Sequence, residues 1–255
     1  MLFLIFKNNM DLEQYTLEDE AYPLVDTNKI KIFNQHGFEK FDLYFYKVPA
    51  DCSCFFHCVL LSHYIPYRKN GIEYEYVINN NDKNKTTEFR KKYCANFRIE
   101  VANSLYDRKK NKYGVTVRKY DLLGNGNVKE FAKHMPFYEI KNLHTAICNY
   151  KYSVGEEIIE IMKDVIEQNI FILNYEKKDI YNGITSSYYR DDWPSIVLLY
   201  YPTPEDDSYV GHYELIGIPK IINNQKIIVT HFQNNHAFIQ FLLNREIYIN
   251  KKVRK

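Results

Sequence analysis

No apolar run in this 255-residue sequence is long enough to cross a membrane. The one at the start, MLFLIF, is closed by Lys7, Asn8 and Asn9. That is short of a secretory core of roughly 7 to 15 residues or a span of about 20. An excess of either charge is also missing. Lysine and arginine number 34 against 32 acids, a net charge of +2, which argues against wholesale binding to duplex DNA, and no nucleic-acid partner is expected. Cysteine is scarce: five residues, an odd number, mostly in one place. This fits reduced thiols in an intracellular, cytoplasmic setting better than a disulfide framework. There is no internal repeat. What is present is an apolar fraction of 45%, enough for the core of one large domain or two small ones.

The patterning predicts helices first and strands later. Residues 1 to 40 show no clear period and read as an N-terminal extension. Phe55, Val59 and Leu60 recur at helical spacing from Cys54, with Pro66 as a stop. After a polar loop over residues 70 to 85, Thr86 and Thr87 are candidate caps for a second helix. Its apolar stripe is Phe89, Tyr93, Phe97, Val101 and Leu105. Shorter helical stretches are expected over 128 to 135, 139 to 149 and 153 to 168. Strands are expected over 169 to 175, 195 to 201, 213 to 218 and 226 to 232, and a final helix over 237 to 244. The near-continuous apolar strands suit a sheet buried on both faces. The expectation is an α+β domain over residues 41 to 220, with residues 221 to 255 as a C-terminal extension packed on it. From Lys83 to Lys119 bases outnumber acids, which on an amphipathic helix reads as a solvated face.

The stretch PADCSCFFHCVLL, residues 49 to 61, holds three cysteines and a histidine. A structural zinc site would bring two ligand pairs, and neither Cys94 nor Cys148 belongs to a second pair. A thioredoxin-like C-x-x-C is absent. Cys58, one turn after Cys54 and beside Val59 and Leu60, reads as core packing. Cys54 differs because it would open a helix, where the macrodipole and free backbone N–H groups favour a thiolate and can hold a developing oxyanion. A nucleophile there needs a base. His212, where GHYELIGI enters a strand, has the best context of the eight histidines. Glu214 projects to the same side by the period of two and could hold the imidazole.

Together these segments resemble the ovarian-tumour (OTU) family of papain-like cysteine proteases, most of which are deubiquitinases. The family's D-G-x-C loop is matched by Asp51, Cys52, Ser53 and Cys54, and its H-[YWF]-[DNE] motif by His212, Tyr213 and Glu214. Its E-[LI] pair is matched loosely by Glu157 and Ile158. The resemblance covers about residues 42 to 220. It implies a papain-like OTU fold with a small, mostly buried central sheet flanked by helices. The implied activity is hydrolysis of isopeptide bonds at the C-terminal glycine of ubiquitin or a ubiquitin-like modifier, without metal or cofactor. Cys54 would attack, His212 would carry the proton, Glu214 would orient His212, and Asp51 would shape the loop. Backbone N–H groups of Cys52 and Cys54 would line the oxyanion hole, with Cys52 and Ser53 forming its loop. The acidic run Glu205, Asp206 and Asp207, with Asp191 and Asp192, would meet the basic tail of ubiquitin. Cys52 stands where the family has glycine, which places a Cβ in the loop. A second reading, favoured by that Cβ, is an OTU-like domain without catalysis that serves as a ubiquitin-binding or virion-associated structural protein.

Overall fold

A computed structural model describes residues 27–29, 33, 35–63, 83–126, 139–153, 156–181, 189–202, 211–222 and 225–253. The expected helix over 128 to 135, the stop at Pro66 and the acidic run Glu205, Asp206 and Asp207 lie outside the described residues. The architecture is mixed α/β, with a central sheet flanked by helices. In chain order the strands are β1 (Thr27–Lys29), β2 (Tyr44–Tyr46), β3 (Arg108–Lys110), β4 (Thr116–Arg118), β5 (Asn169–Asn174), β6 (Asp179–Ile180), β7 (Ser195–Tyr201), β8 (His212–Ile222), β9 (Gln225–Val229) and β10 (His231–Phe232). The helices are α1 (Cys54–His63), α2 (Lys83–Ser104), α3 (Ile140–Cys148), α4 (Glu156–Ile166) and α5 (Ala237–Val253).

The main sheet runs β1-β2-β8-β7-β5-β6, with β10 on β7 and β9 on β8. Among the described strands of this sheet only β5 and β7 pair in parallel. Both of these strands are apolar along nearly their whole length because both faces of the sheet are covered. Alternate residues divide between two cores. Ile170, Ile172, Ile196, Leu198, Tyr213 and Leu215 join α1 and its neighbours, whereas Phe171, Leu173, Val197, Leu199 and Ile216 join Phe33, Phe38 and the α5 residues Phe238, Ile239 and Leu242.

Several boundaries differ from the sequence expectation. The second helix begins at Lys83, so Thr86 and Thr87 lie inside it; nothing in Lys83, Asn84 and Lys85 breaks a helix, and a cap worth about 1 kcal/mol does not fix a start alone. The expected 226-to-232 strand divides into β9 and β10, and the last helix continues to Val253. The helix α4 stops at Ile166 because Glu167 takes a left-handed conformation, φ 56°, and the Gln168 N–H donates to the Lys163 carbonyl at 3.2 Å, a Schellman end. The strands β1 and β2 and the β3–β4 hairpin were not anticipated, since three residues are too few to show a period.

Candidate active site

The loop before α1 is built around one carboxylate. Asp51 Oδ1 accepts the Ser53 N–H at 2.8 Å, and the Asp51 carbonyl accepts the Cys54 N–H at 3.2 Å. This side-chain turn places Cys54 as the first residue of the helix. The other carboxylate oxygen accepts the Tyr150 hydroxyl at 2.6 Å and lies 3.4 Å from His57 Nε2. Burial opposes the charge on Asp51, but His57, Tyr150 and the Ser53 N–H outweigh it and hold the carboxyl below its usual range. Burial of His57 lowers its own pKa against the pull of Asp51. His57, part of the cysteine-rich stretch, therefore serves the loop and not the chemistry.

A residue the sequence reading passed over holds this loop in place. Arg98, fully buried on α2, donates from Nε to the Ile147 carbonyl at 2.7 Å and from Nη2 to the carbonyls of Ala146 and Tyr152 at 3.1 and 3.0 Å. Nη1 donates to Ser53 Oγ at 2.6 Å and more weakly to the Cys52 carbonyl at 3.4 Å. Its guanidinium lies 4.5 Å from the centre of the Phe56 ring. It thus satisfies open carbonyls at the α3 C-terminus, where the helix dipole favours a cation, and ties them to the nucleophile loop. The available signal was spacing: Cys94, Arg98 and Ala102 form a buried i, i+4 row beside Phe97 and Val101.

The second half of the site comes from β8. The strand β2 pairs with it only at Leu215, Ile216 and Gly217, which leaves the first residues of β8 without β2 on that edge. There the Tyr213 N–H donates to Cys54 Sγ at 3.5 Å. His212 and Glu214 flank Tyr213, with His212 Nε2 3.7 Å from Glu214 Oε1, within ion-pair reach but longer than a formed hydrogen bond. Burial works against a charged His212, yet the Cys54 sulfur and then Glu214 outweigh it and raise its pKa to about 9. The His212 ring stacks on Tyr201, centroids 6.2 Å apart. Burial, and then the adjacent Glu214, push the Tyr201 phenol well above its ordinary value. Gly211 has no room for a side chain, because a Cβ would lie 2.6 Å from the Tyr201 carbonyl oxygen and 2.3 Å from the Tyr200 ring. The chain can therefore approach β7 closely just before His212.

All five cysteines are free thiols. Burial pushes the Cys58 and Cys94 thiols well up and also raises Cys148. Cys54 alone adjoins His212. Cys52 is half-buried, and its φ is not among the left-handed values, which outside glycine are confined to His36, Glu167 and Lys178 among the described residues. A glycine is therefore not demanded there by backbone conformation. The Ser53 and Cys54 N–H groups are both taken up by Asp51; the Cys52 N–H has no protein acceptor among the described residues. Asp191 and Asp192 are exposed in a turn. Among the described residues no three His, Cys, Asp or Glu side chains are grouped to hold a metal ion, and no helix is long and apolar enough to cross a membrane.

No family model and no curated protein matches the sequence. Among solved structures the chain is similar to an ovarian tumour (OTU) domain in complex with ubiquitin, with a TM-score of 0.41 and 14% identity over 89% of this chain and 92% of that one. At that level of similarity the chemical reading rests on the local geometry.

The histidine makes stability depend on pH. Its folded pKa of about 9 exceeds the ordinary 6.5, so the folded protein holds the proton more tightly. The resulting stabilisation is complete below about pH 6.5 and is lost as pH rises through about 9. Urea melts from pH 6.5 to 9.5 are expected to show a falling midpoint that flattens in His212→Gln; equal slopes in the two proteins would refute the assignment.

Proposed function

We propose that the protein is a thiol-dependent isopeptidase of the OTU type, acting at the C-terminal glycine of ubiquitin or a ubiquitin-like modifier through a catalytic domain over residues 41 to 220. The observation that carries this reading is the meeting of Cys54, at the first position of α1, with the start of β8, where the Tyr213 N–H reaches its sulfur and His212 lies 3.7 Å from Glu214. Cys54 attacks the glycine carbonyl carbon, and the thiol proton resides on His212. As the tetrahedral intermediate collapses, His212 gives that proton to the departing lysine amine, leaving a thioester on Cys54. Water, deprotonated by His212, then hydrolyses the thioester and restores the thiol. Glu214 supports the charged imidazole, and Tyr201 fixes the plane of its ring. The Cys52 N–H is the loop donor available to the oxyanion, while Asp51 spends its oxygens on holding the turn.

A ubiquitin-propargylamide probe tests this directly. The expected result is a covalent adduct mapped to Cys54, retained in Cys52→Ala. Folded protein that forms no adduct would leave the catalytic reading without support and favour a binding role, and an adduct on Cys52 would reassign the nucleophile.

A further inference from the structure

We propose that the β3–β4 hairpin binds single-stranded nucleic acid along the face that carries Arg108, Lys110 and Lys112. The inference is independent of the isopeptidase reading.

Between Arg108 and Lys119 the chain carries six basic residues, and the fold uses three of them. Lys109 pairs with Glu167 at 2.5 Å, Arg118 forms a two-pronged bridge with Asp121 at 2.9 Å for both bonds, and Lys119 is buried with its ammonium on the Val165 carbonyl at 2.5 Å. Arg108, Lys110 and Lys112 are exposed and have no ion-pair partner among the described residues. The register sets Arg108 directly opposite Arg118, a like-charge pairing that costs stability. Folding therefore does not explain these cations.

Their spacing suggests what does. Arg108 and Lys110 share one side of β3, with Lys109 on the other, and exposed Tyr106 and Lys112 continue the row just before and just after the strand. Two residues of strand advance by about 6.6 Å, close to the distance between successive phosphates on an extended single strand. Exposed aromatic rings stand at both ends of the row. Tyr113, at the tip, is 76% exposed with Lys112 Nζ 5.0 Å from its ring centre, and Tyr106, at the base, is 44% exposed. Tyr106 meets His144 edge to face, centroids 5.5 Å apart, and Lys112 covers one side of Tyr113, so each ring offers its exposed face to a stacked base of any sequence. A membrane anchor would gather its apolar residues at one end with cations behind them. The tip does carry Val115, 56% exposed, beside Tyr113, but a second ring, Tyr106, stands at the base, so the cations lie between two rings, which suits a strand lying along the hairpin. The near-zero net charge that argued against a nucleic-acid partner is an average over the whole chain and does not describe this face.

Fluorescence anisotropy of a labelled 20-nucleotide oligouridine against the full chain tests the site, with a 20-base-pair duplex and phosphatidylserine vesicles as alternatives. Binding to the single strand is expected, weakening with salt at a slope of about −2 in log K against log salt, for three phosphates at about 0.7 each. The triple variant R108E/K110E/K112E should lose at least about tenfold in affinity with that slope largely abolished. Tyr113→Ala should lose roughly tenfold, and Tyr113→Trp should retain binding. All four positions are exposed, so unchanged thermal melts will confirm folding. Absence of single-strand binding at low salt, equal affinity in the triple variant, or hairpin-dependent binding to duplex or vesicles alone would each overturn the proposal.

Discussion

Replacing His212 by alanine is expected to slow hydrolysis of di-ubiquitin or a ubiquitin–fluorophore conjugate by about a thousandfold or more, the range of a proton-transfer group acting in the transition state. The loss should fall on kcat, because the imidazole moves the proton and does not bind the modifier. Glu214→Gln should cost less, on the order of tenfold to a hundredfold, since Glu214 stands 3.7 Å from the ring and acts through it. In the unsubstituted protein the alkaline limb of kcat/KM should fall with an apparent value near 9, where His212 loses its proton. Turnover unchanged in His212→Ala, or an alkaline limb that survives its removal, would take the base assignment away.

Arg98→Ala should be the most damaging change to the fold outside the apolar core. It strands the buried carbonyls of Ala146 and Ile147 and the buried Ser53 hydroxyl, together with the part-buried Tyr152 carbonyl, without their donor. Each buried acceptor left open costs about 1 to 3 kcal/mol, partly relieved if water enters. A net loss of about 3 to 5 kcal/mol is therefore expected, a large fraction of the roughly 5 to 15 kcal/mol of an ordinary domain. Arg98→Lys should recover little, because one ammonium cannot reproduce a planar fork that reaches the α3 end and the nucleophile loop together. Urea denaturation measures both, and a loss below about 1 kcal/mol in Arg98→Ala would show that the network is replaceable.

The sequence carried the parts with strong local signatures. The apolar runs of β5 and β7 read as buried strands, and Cys54 read as the head of an apolar helical stretch. The H-x-E spacing put His212 and Glu214 on one side of a strand by geometry alone. Arg98 was not legible because its partners are backbone carbonyls, which every residue has and no motif records. The strand β2 escaped because its three residues gain their order from β8, not from a period of their own. Thr86 and Thr87 misled because a capping residue is a weak preference, and Lys83, Asn84 and Lys85 before them do nothing to end the helix.

What the amino-acid sequence determined by itself is the inventory of chemistry: a thiol, an imidazole and a carboxylate in contexts that local periodicity defines. Whether they meet was decided only by the tertiary structure. Cys54 and His212 are 158 positions apart, and their contact depends on where β2 stops pairing with β8 and on how Asp51 and Arg98 tie the loop. Those are long-range hydrogen bonds, whose partners no local pattern can specify. The exposed row on the hairpin follows the same rule, since only folding shows which of its cations are already spoken for.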